Sequence, residues 1–194
     1  MSNNNANVLD PSSPDLEQTL LGMVDIHIGC SEVDGTIATF LPPWDRQKMI
    51  SWYKKMVEDV KQDRRAIIVQ RLEDQTGATR LAGFVMLAMP ETETGPFRGS
   101  VEKLLVSPDF RKRGVARALL SKLEEVALQK GRTLLLLDTE EDSPAEKVYP
   151  RLGFVESGRV PAYGISPVDG RLIGGVFFYK MLEGHGASAT RLRN

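Results

Sequence analysis

The stretch from Val101 to Leu137 constrains the fold more than any other part of the chain. Val101-Glu-Lys-Leu-Leu-Val106 has the composition of a strand, and a short loop carries it to Arg111-Lys-Arg-Gly-Val-Ala-Arg117. Those residues open a helix in which Val115, Leu119, Leu120, Leu123, Val126 and Ala127 share one apolar face. Lys130-Gly131 gives that helix a basic last turn and a glycine stop. Leu134-Leu-Leu-Leu137 follows as a continuous apolar run, the pattern of a central strand buried on both faces.

The basic helix start has a physical logic. The first backbone N–H groups of a helix lack intrahelical partners and carry the positive end of the macrodipole. Together they cradle anions, phosphate above all. Gly114 lets the backbone approach a ligand closely, and Ala116 keeps the next position small. Arg111, Lys112, Arg113 and Arg117 add charge, and Arg binds phosphate bidentately. Neither Gly-x-x-x-x-Gly-Lys-Ser/Thr nor Gly-x-Gly-x-x-Gly after a strand is present. On these residues alone a solvated basic turn stays open, but the place between a strand and a long amphipathic helix favours a pyrophosphate site.

The rest of the composition narrows the ligand. Lys and Arg number 25 against 26 acidic residues, a formal net charge of −1, so the basic cluster is local and points to a small anion rather than nucleic acid. Cys30 is the single cysteine, which excludes an intramolecular disulfide and a four-thiolate metal site. Only His27 and His185 offer imidazole, neither at metal-ligand spacing with a carboxylate cluster, so no metal is expected. His27, inside a helical pattern, reads as a structural residue. No run reaches transmembrane length and the first thirty residues lack a leader pattern, so the expectation is a cytoplasmic protein without a membrane partner.

Along the chain, residues 1–12 are expected to be flexible, although Asn7 to Asp10 has the pattern of a short edge strand. Ser13-Pro14 with Asp15 and Glu17 predicts a helix start with proline at its first position, followed by Leu16, Leu20, Leu21, Val24 and Ile28 at helical spacing. A connection from Gly29 to Pro43 then leads to a second helix with Met49, Ile50, Tyr53, Met56, Val57 and Val60 on its apolar stripe. Trp44, Trp52 and Tyr53 read as core, with a pocket lining as the alternative. Ala66–Val69 and Leu81–Ala88 form a hairpin about Thr76-Gly77. Ser143-Pro-Ala-Glu146 is a capping box that predicts a short helix, ended by Gly153, and Phe154-Val155 and Val176–Met181 begin and close the last strands. The result is a mixed sheet with helices packed on it: one domain over residues 13–182 and a polar tail over 183–194.

Two motifs carry a resemblance. Leu104-Leu-Val-Ser-Pro-Asp-Phe-Arg111-Lys-Arg-Gly114-Val-Ala116-Arg-Ala-Leu-Leu120 resembles the Arg/Gln-x-x-Gly-x-Gly/Ala motif of the GNAT superfamily of N-acetyltransferases. Pro144-Ala-Glu-Lys-Val-Tyr149-Pro-Arg-Leu-Gly153-Phe154 resembles its second signature, at a suitable distance. Val101–Val106, Leu135–Thr139, Val160–Tyr163 and Asp169–Leu172 further resemble the tabtoxin-resistance branch. The resemblance implies an α+β three-layer fold: a mixed, mostly antiparallel sheet, helices on both faces, and a splayed parallel strand pair for the cofactor.

For function the resemblance implies acetyl-CoA as co-substrate, with its pyrophosphate on the amides of Arg111, Lys112, Arg113, Gly114, Val115, Ala116 and Arg117. The pantetheine arm is expected beside Leu104, Leu105 and Val106, where edge backbone groups need partners. Tyr149 aligns with the tyrosine proposed to protonate the leaving thiolate; its spacing with Ala145, Val148 and Leu152 also suits a core stripe. Pro150 departs from the pattern and disfavours helical dihedrals at Tyr149. Ser100 stands where many relatives carry a glutamate. Glu102, two residues on, shares its strand face and is a candidate base, as is Asp138 at the end of the Leu-rich strand. Asp142 stands where many relatives have a cofactor-side asparagine. The acceptor is expected to be a small amine such as a toxin, antibiotic or amino-acid-like metabolite, held by residues 29–43, 90–99 and 163–170. A peptide acceptor and a non-catalytic acetyl-CoA-binding regulator are the alternatives, and a homodimer is compatible with the sequence.

Overall fold

The computed structural model describes residues 6–36 and 39–183. Its strands are β1 (Asn7–Val8), β2 (Arg65–Glu73), β3 (Thr79–Ala88), β4 (Arg98–Val106), β5 (Leu134–Glu140), β6 (Val155–Ile165) and β7 (Leu172–Met181). Its helices are α1 (Leu16–Asp34), α2 (Arg46–Lys61) and α3 (Val115–Gln129). The strands form one sheet in the order β1-β2-β3-β4-β5-β7-β6. Every neighbouring pair is antiparallel except β4 and β5, which run parallel.

Strand alternation divides the core into two layers. On β2, Ile67 and Val69 face α1 and α2 while Ile68 faces α3; on β3, Phe84 and Met86 take the first side, Val85 and Leu87 the second. The α3 layer holds Val115, Leu119, Leu120, Leu123, Val126 and Ala127, the stripe read from the sequence, and each large member contributes roughly 1.5–3 kcal/mol over exposure. Gly83 makes this contact close: a Cβ there would lie 2.8 Å from the Leu105 carbonyl oxygen and 3.0 Å from Val115 Cγ1.

Four expectations are corrected. Helix α1 does not stop near Gly29 but runs to Asp34, where Gly35 (φ 68°) caps it through its N–H to Ser31. A glycine inside a helix is tolerated when its neighbours pack, and Gly29 sits against Pro108, where a Cβ would lie in ordinary contact at 3.7 Å from Cδ. The same helix starts at Leu16 rather than Pro14; the Ser13 hydroxyl accepts from Asp15 in a preceding turn instead of capping the helix. Ser143 does accept from the Glu146 N–H at 3.1 Å, but turns follow rather than a helix, with only a 3-10 segment at Pro150–Leu152. The Glu146 carboxylate bonds the Asp142 N–H at 2.7 Å and not the Ser143 N–H, so the capping box is only half formed. Finally, β5 is buried on one face: Leu135 and Leu137 are in the α3 layer, whereas Leu136 is 36% exposed.

The edge strand expected near Asn7 is β1, paired to Val69 and Ile68. The expected tail lies outside the described residues from 184 onward, as does His185. Among the described residues no helix is long and apolar enough to cross a membrane.

Candidate active site

Strands β4 and β5 pair only through Arg98↔Leu134, Gly99↔Leu135 and Ser100↔Leu136. Beyond that they part, leaving the β5-facing edge of Val101 to Val106 without a strand partner among the described residues. A cleft of about 550 Å³ fills the gap. Its walls carry Glu102, Lys103, Leu104, Leu105 and Val106 on one bank and Asp138, Thr139 and Tyr149 on the other.

The start of α3 closes one end. After the Phe110 N–H, which bonds Ser107, the next main-chain donor with a main-chain acceptor is Ala118, bonded to Gly114. The amides of Arg111 to Arg117 lie between them, with no backbone acceptor among the described residues. Gly114 has φ 80° and Lys112 φ 59°, left-handed turns of the kind that gather successive N–H groups into a concave anion site. A Cβ on Gly114 would meet nothing within 4 Å, so the space before these donors is open. These features fit a pyrophosphate.

The cations divide into two sets. Arg111 grips Asp34 at the end of α1 with bonds of 2.8 and 2.5 Å. Arg113 donates to the Glu73 carbonyl and lies 5.1 Å over the Phe110 ring. Both therefore brace the loop against the frame, which the sequence did not show because Asp34 was placed in a loop. Lys112 and Arg117 are exposed and make no ion pair among the described residues.

The candidate proton-transfer groups fare differently. Tyr149 is 6% exposed and packs edge-on against Phe154, at 5.7 Å between ring centroids. Its hydroxyl makes no hydrogen bond to the described residues although it borders the cleft. Burial, reinforced by Asp138 and Glu140, holds its pKa above the usual range, so it is a protonated donor. Despite Pro150, Tyr149 keeps helical dihedrals (φ −61°, ψ −42°), which corrects the expectation drawn from that proline. Asp138 is exposed on the face of β5 that carries Leu136; burial and the Asp138 charge raise the Tyr163 pKa. Glu102 is committed to Arg65 at 2.6 Å, which removes it as a free base. Asp142 has φ 63° and borders no part of the cleft.

Cys30, Asp34 and Tyr163 line the cleft from two of the segments expected to hold the acceptor, and Lys103 lines it without having been marked in the sequence. Lys103 has φ 54° at a β-bulge between the Phe84↔Leu105 and Met86↔Glu102 pairs. The bulge reverses the alternation: Val101 faces α3, and so do Leu104 and Val106, while Leu105 faces α1 and α2. Lys103 is thereby turned toward α2, its ammonium 5.9 Å from the Trp52 ring. Cys30 donates to the Val106 carbonyl at 3.3 Å, and burial raises its pKa. Tyr53 is fully buried and Trp44 donates to Glu32, so both belong to the frame. His27 is fully buried against Tyr53, as a structural residue should be. Among the described residues no group of three or more His, Cys, Asp or Glu is placed to hold a metal ion.

A parted parallel strand pair that ends on a helix-start amide cradle defines a fold for holding an extended, anion-tailed ligand. The acetyltransferase (GNAT) family is the one whose sequence model matches, over residues 33–154. The chain belongs to that family. It is similar to the N-terminal acetyltransferase B complex catalytic subunit NAA20 of Arabidopsis thaliana, 29% identical over 93 residues, covering 47% of this chain and 53% of the relative. It is also similar to an aminoglycoside N(6')-acetyltransferase type 1 of Salmonella typhimurium, 38% identical over 64 residues, covering 32% and 44%. The chain thus spans about half the length of the curated relatives it matches. Among solved structures, yncA from Salmonella typhimurium with its cofactor acetyl-CoA superposes with a TM-score of 0.70 at 18% identity, covering 97% of this chain and 99% of the other. An N-acetyltransferase from Staphylococcus aureus Mu50 gives 0.69 at 17% identity, covering 92% and 99%. At those identities the likeness establishes the fold.

Proposed function

We propose that this protein transfers the acetyl group of acetyl-CoA to the amine of a small molecule by direct attack on the thioester. The observation that carries the reading is the parting of β4 from β5 after Ser100 and Leu136, with the open amide cradle of Arg111 to Arg117 at its end. Acetyl-CoA, when bound, supplies an activated acyl group and a thiolate leaving group. The amides from Lys112 to Arg117, with the unpaired charges of Lys112 and Arg117, hold its phosphates. The free edge of Leu104 to Val106 offers main-chain partners to its amide-bearing arm.

The chain's own groups account for the protons. Asp138, accessible on β5 and lining the cleft with Tyr163, accepts the proton that the acceptor ammonium must lose. Tyr149, protonated throughout the physiological range and without a hydrogen-bond partner among the described residues, is the donor to the departing thiolate, and the second proton that the nitrogen loses on acylation restores its hydroxyl. Glu102 orients the β4 bank through Arg65. The acidic run Asp138 to Asp142 attracts cationic amines. A cytoplasmic location and the likeness to the tabtoxin-resistance branch belong to this same reading.

A thiol-release assay over small amines and peptide N-termini tests it. Release of CoA thiol that depends on a small amine is expected. Release only with peptides moves the acceptor to proteins, as for the Arabidopsis relative, and acetyl-CoA binding with no release from any acceptor makes the protein a regulator.

A further inference from the structure

One wall of the cleft carries a lysine ammonium without a direct partner among the described residues. Lys103 is half-buried and makes no hydrogen bond or ion pair among the described residues; its ammonium lies 5.9 Å from the Trp52 ring. Burial lowers its pKa, and Glu102 and Asp138 favour its charge without pairing with it. Glu102 is held by Arg65 at 2.6 Å, and His27 stays neutral because burial, then the Lys103 charge, lowers its pKa to about 4. A desolvated cation without an acceptor is costly and calls for an anion.

The backbone is shaped to put this group there. Without the bulge, Lys103 would follow Val101 into the α3 layer; with it, at φ 54°, the side chain turns to the α2 side beside the cleft. A left-handed lysine in a strand is strained, and strain of this kind concentrates at sites of function. Across the parting, the register places Asp138 level with the Glu102–Lys103 step, two residues beyond the Ser100↔Leu136 pair. One bank thus presents a cation and the other an anion, both lining the same cleft.

We infer that the acceptor is a zwitterionic amine of the amino-acid type, its carboxylate or equivalent oxyanion bound by Lys103 and its amine delivered to Asp138. This rests on the acetyl-transfer reading above and names its substrate class. It separates this chain from both kinds of curated relative. A polycationic aminoglycoside would bring further positive charge against Lys103, and a peptide N-terminus would offer an amide carbonyl in place of the carboxylate.

The test is acetylation of the proteinogenic L-amino acids, each against its own carboxamide, with kanamycin as the polycation and an oligopeptide as the N-terminal probe. For the best acceptor, kcat/KM for the acid is expected to exceed that of the amide by about tenfold or more, chiefly through KM. Lys103→Met, which keeps the apolar stem, should reduce that ratio to near one, and Lys103→Arg should restore it. Equal use of acid and amide by the wild-type protein overturns the inference without any variant. So does a ratio that survives Lys103→Met, turnover of kanamycin or the peptide in preference to every acid, or acetyl-CoA binding with no acid acetylated. Failure to bind acetyl-CoA by calorimetry overturns the acetyl-transfer reading instead, which keeps the two failures distinct.

Discussion

Gly114 offers the sharpest separation of structural from ligand effects. Its φ of 80° is left-handed, and an added Cβ would meet nothing within 4 Å, so substitution is limited by backbone strain and not by crowding. For Gly114→Ala that strain is about 1–2 kcal/mol, or roughly 2–8 °C in Tm for a chain of this size. Asn and Asp enter the left-handed region more readily, so Gly114→Asn and Gly114→Asp should melt closer to wild type. The two differ from each other by one charge placed before the amides of Arg111 to Arg117. Like charges ~4 Å apart repel by about 4 kcal/mol at an effective dielectric of ~20, and solvent at this exposed loop reduces that to about 2 kcal/mol. Calorimetry should therefore show acetyl-CoA binding about thirtyfold weaker to Gly114→Asp than to Gly114→Asn. Equal affinities in two equally stable variants would refute the placement of the phosphates at this cradle.

Two further outcomes follow from groups already described. Tyr149→Phe removes a hydroxyl that bonds nothing among the described residues, so Tm and acetyl-CoA affinity should stay near wild type while kcat falls about a hundredfold in steady-state assays; unchanged kcat would return Tyr149 to a packing role. His27 has a folded-state pKa lowered to about 4 from 6.5 by burial and the Lys103 charge, so the unfolded chain takes up its proton first on acidification. Its contribution is full above pH 6.5 and is lost as pH falls toward 4, by about 3 kcal/mol. Urea melts of wild type and His27→Gln across that range should show the smaller loss in the variant, and parallel losses would contradict the assignment.

The sequence was most informative where one periodicity dominated. The α3 stripe and its glycine stop, the Thr76-Gly77 hairpin and the order of the later strands are local patterns, and the packing simply uses them. It was least informative where tertiary contacts overrode a local signal. Gly29 looked like a breaker, yet α1 continues to Asp34 because that face packs on Pro108 and ends on Arg111. Leu136 looked buried like its neighbours, yet among the described residues it is left 36% exposed on its face of β5. Ser143 had the right side chain for a cap, but its partner Glu146 is pulled to the Asp142 N–H and to Arg159.

The candidate site was legible in the same uneven way. Gly114 and Tyr149 are marked by motif, and both line the cleft. Lys103 was hidden because a bulge, invisible in the strand pattern, changes which way it points. A cation interrupting an apolar strand was the one available signal. Tyr163 depends on β6 turning back along β7, so its place beside Asp138 in the cleft follows only from the assembled sheet.

Amide hydrogen exchange, read by mass spectrometry with and without acetyl-CoA, tests the central claim most directly. If the parted strands and the α3 start hold this ligand, exchange should slow across residues 101–117, covering the free edge of β4 and the unpaired amides before Ala118. Binding that leaves exchange in 101–117 unchanged would contradict the account.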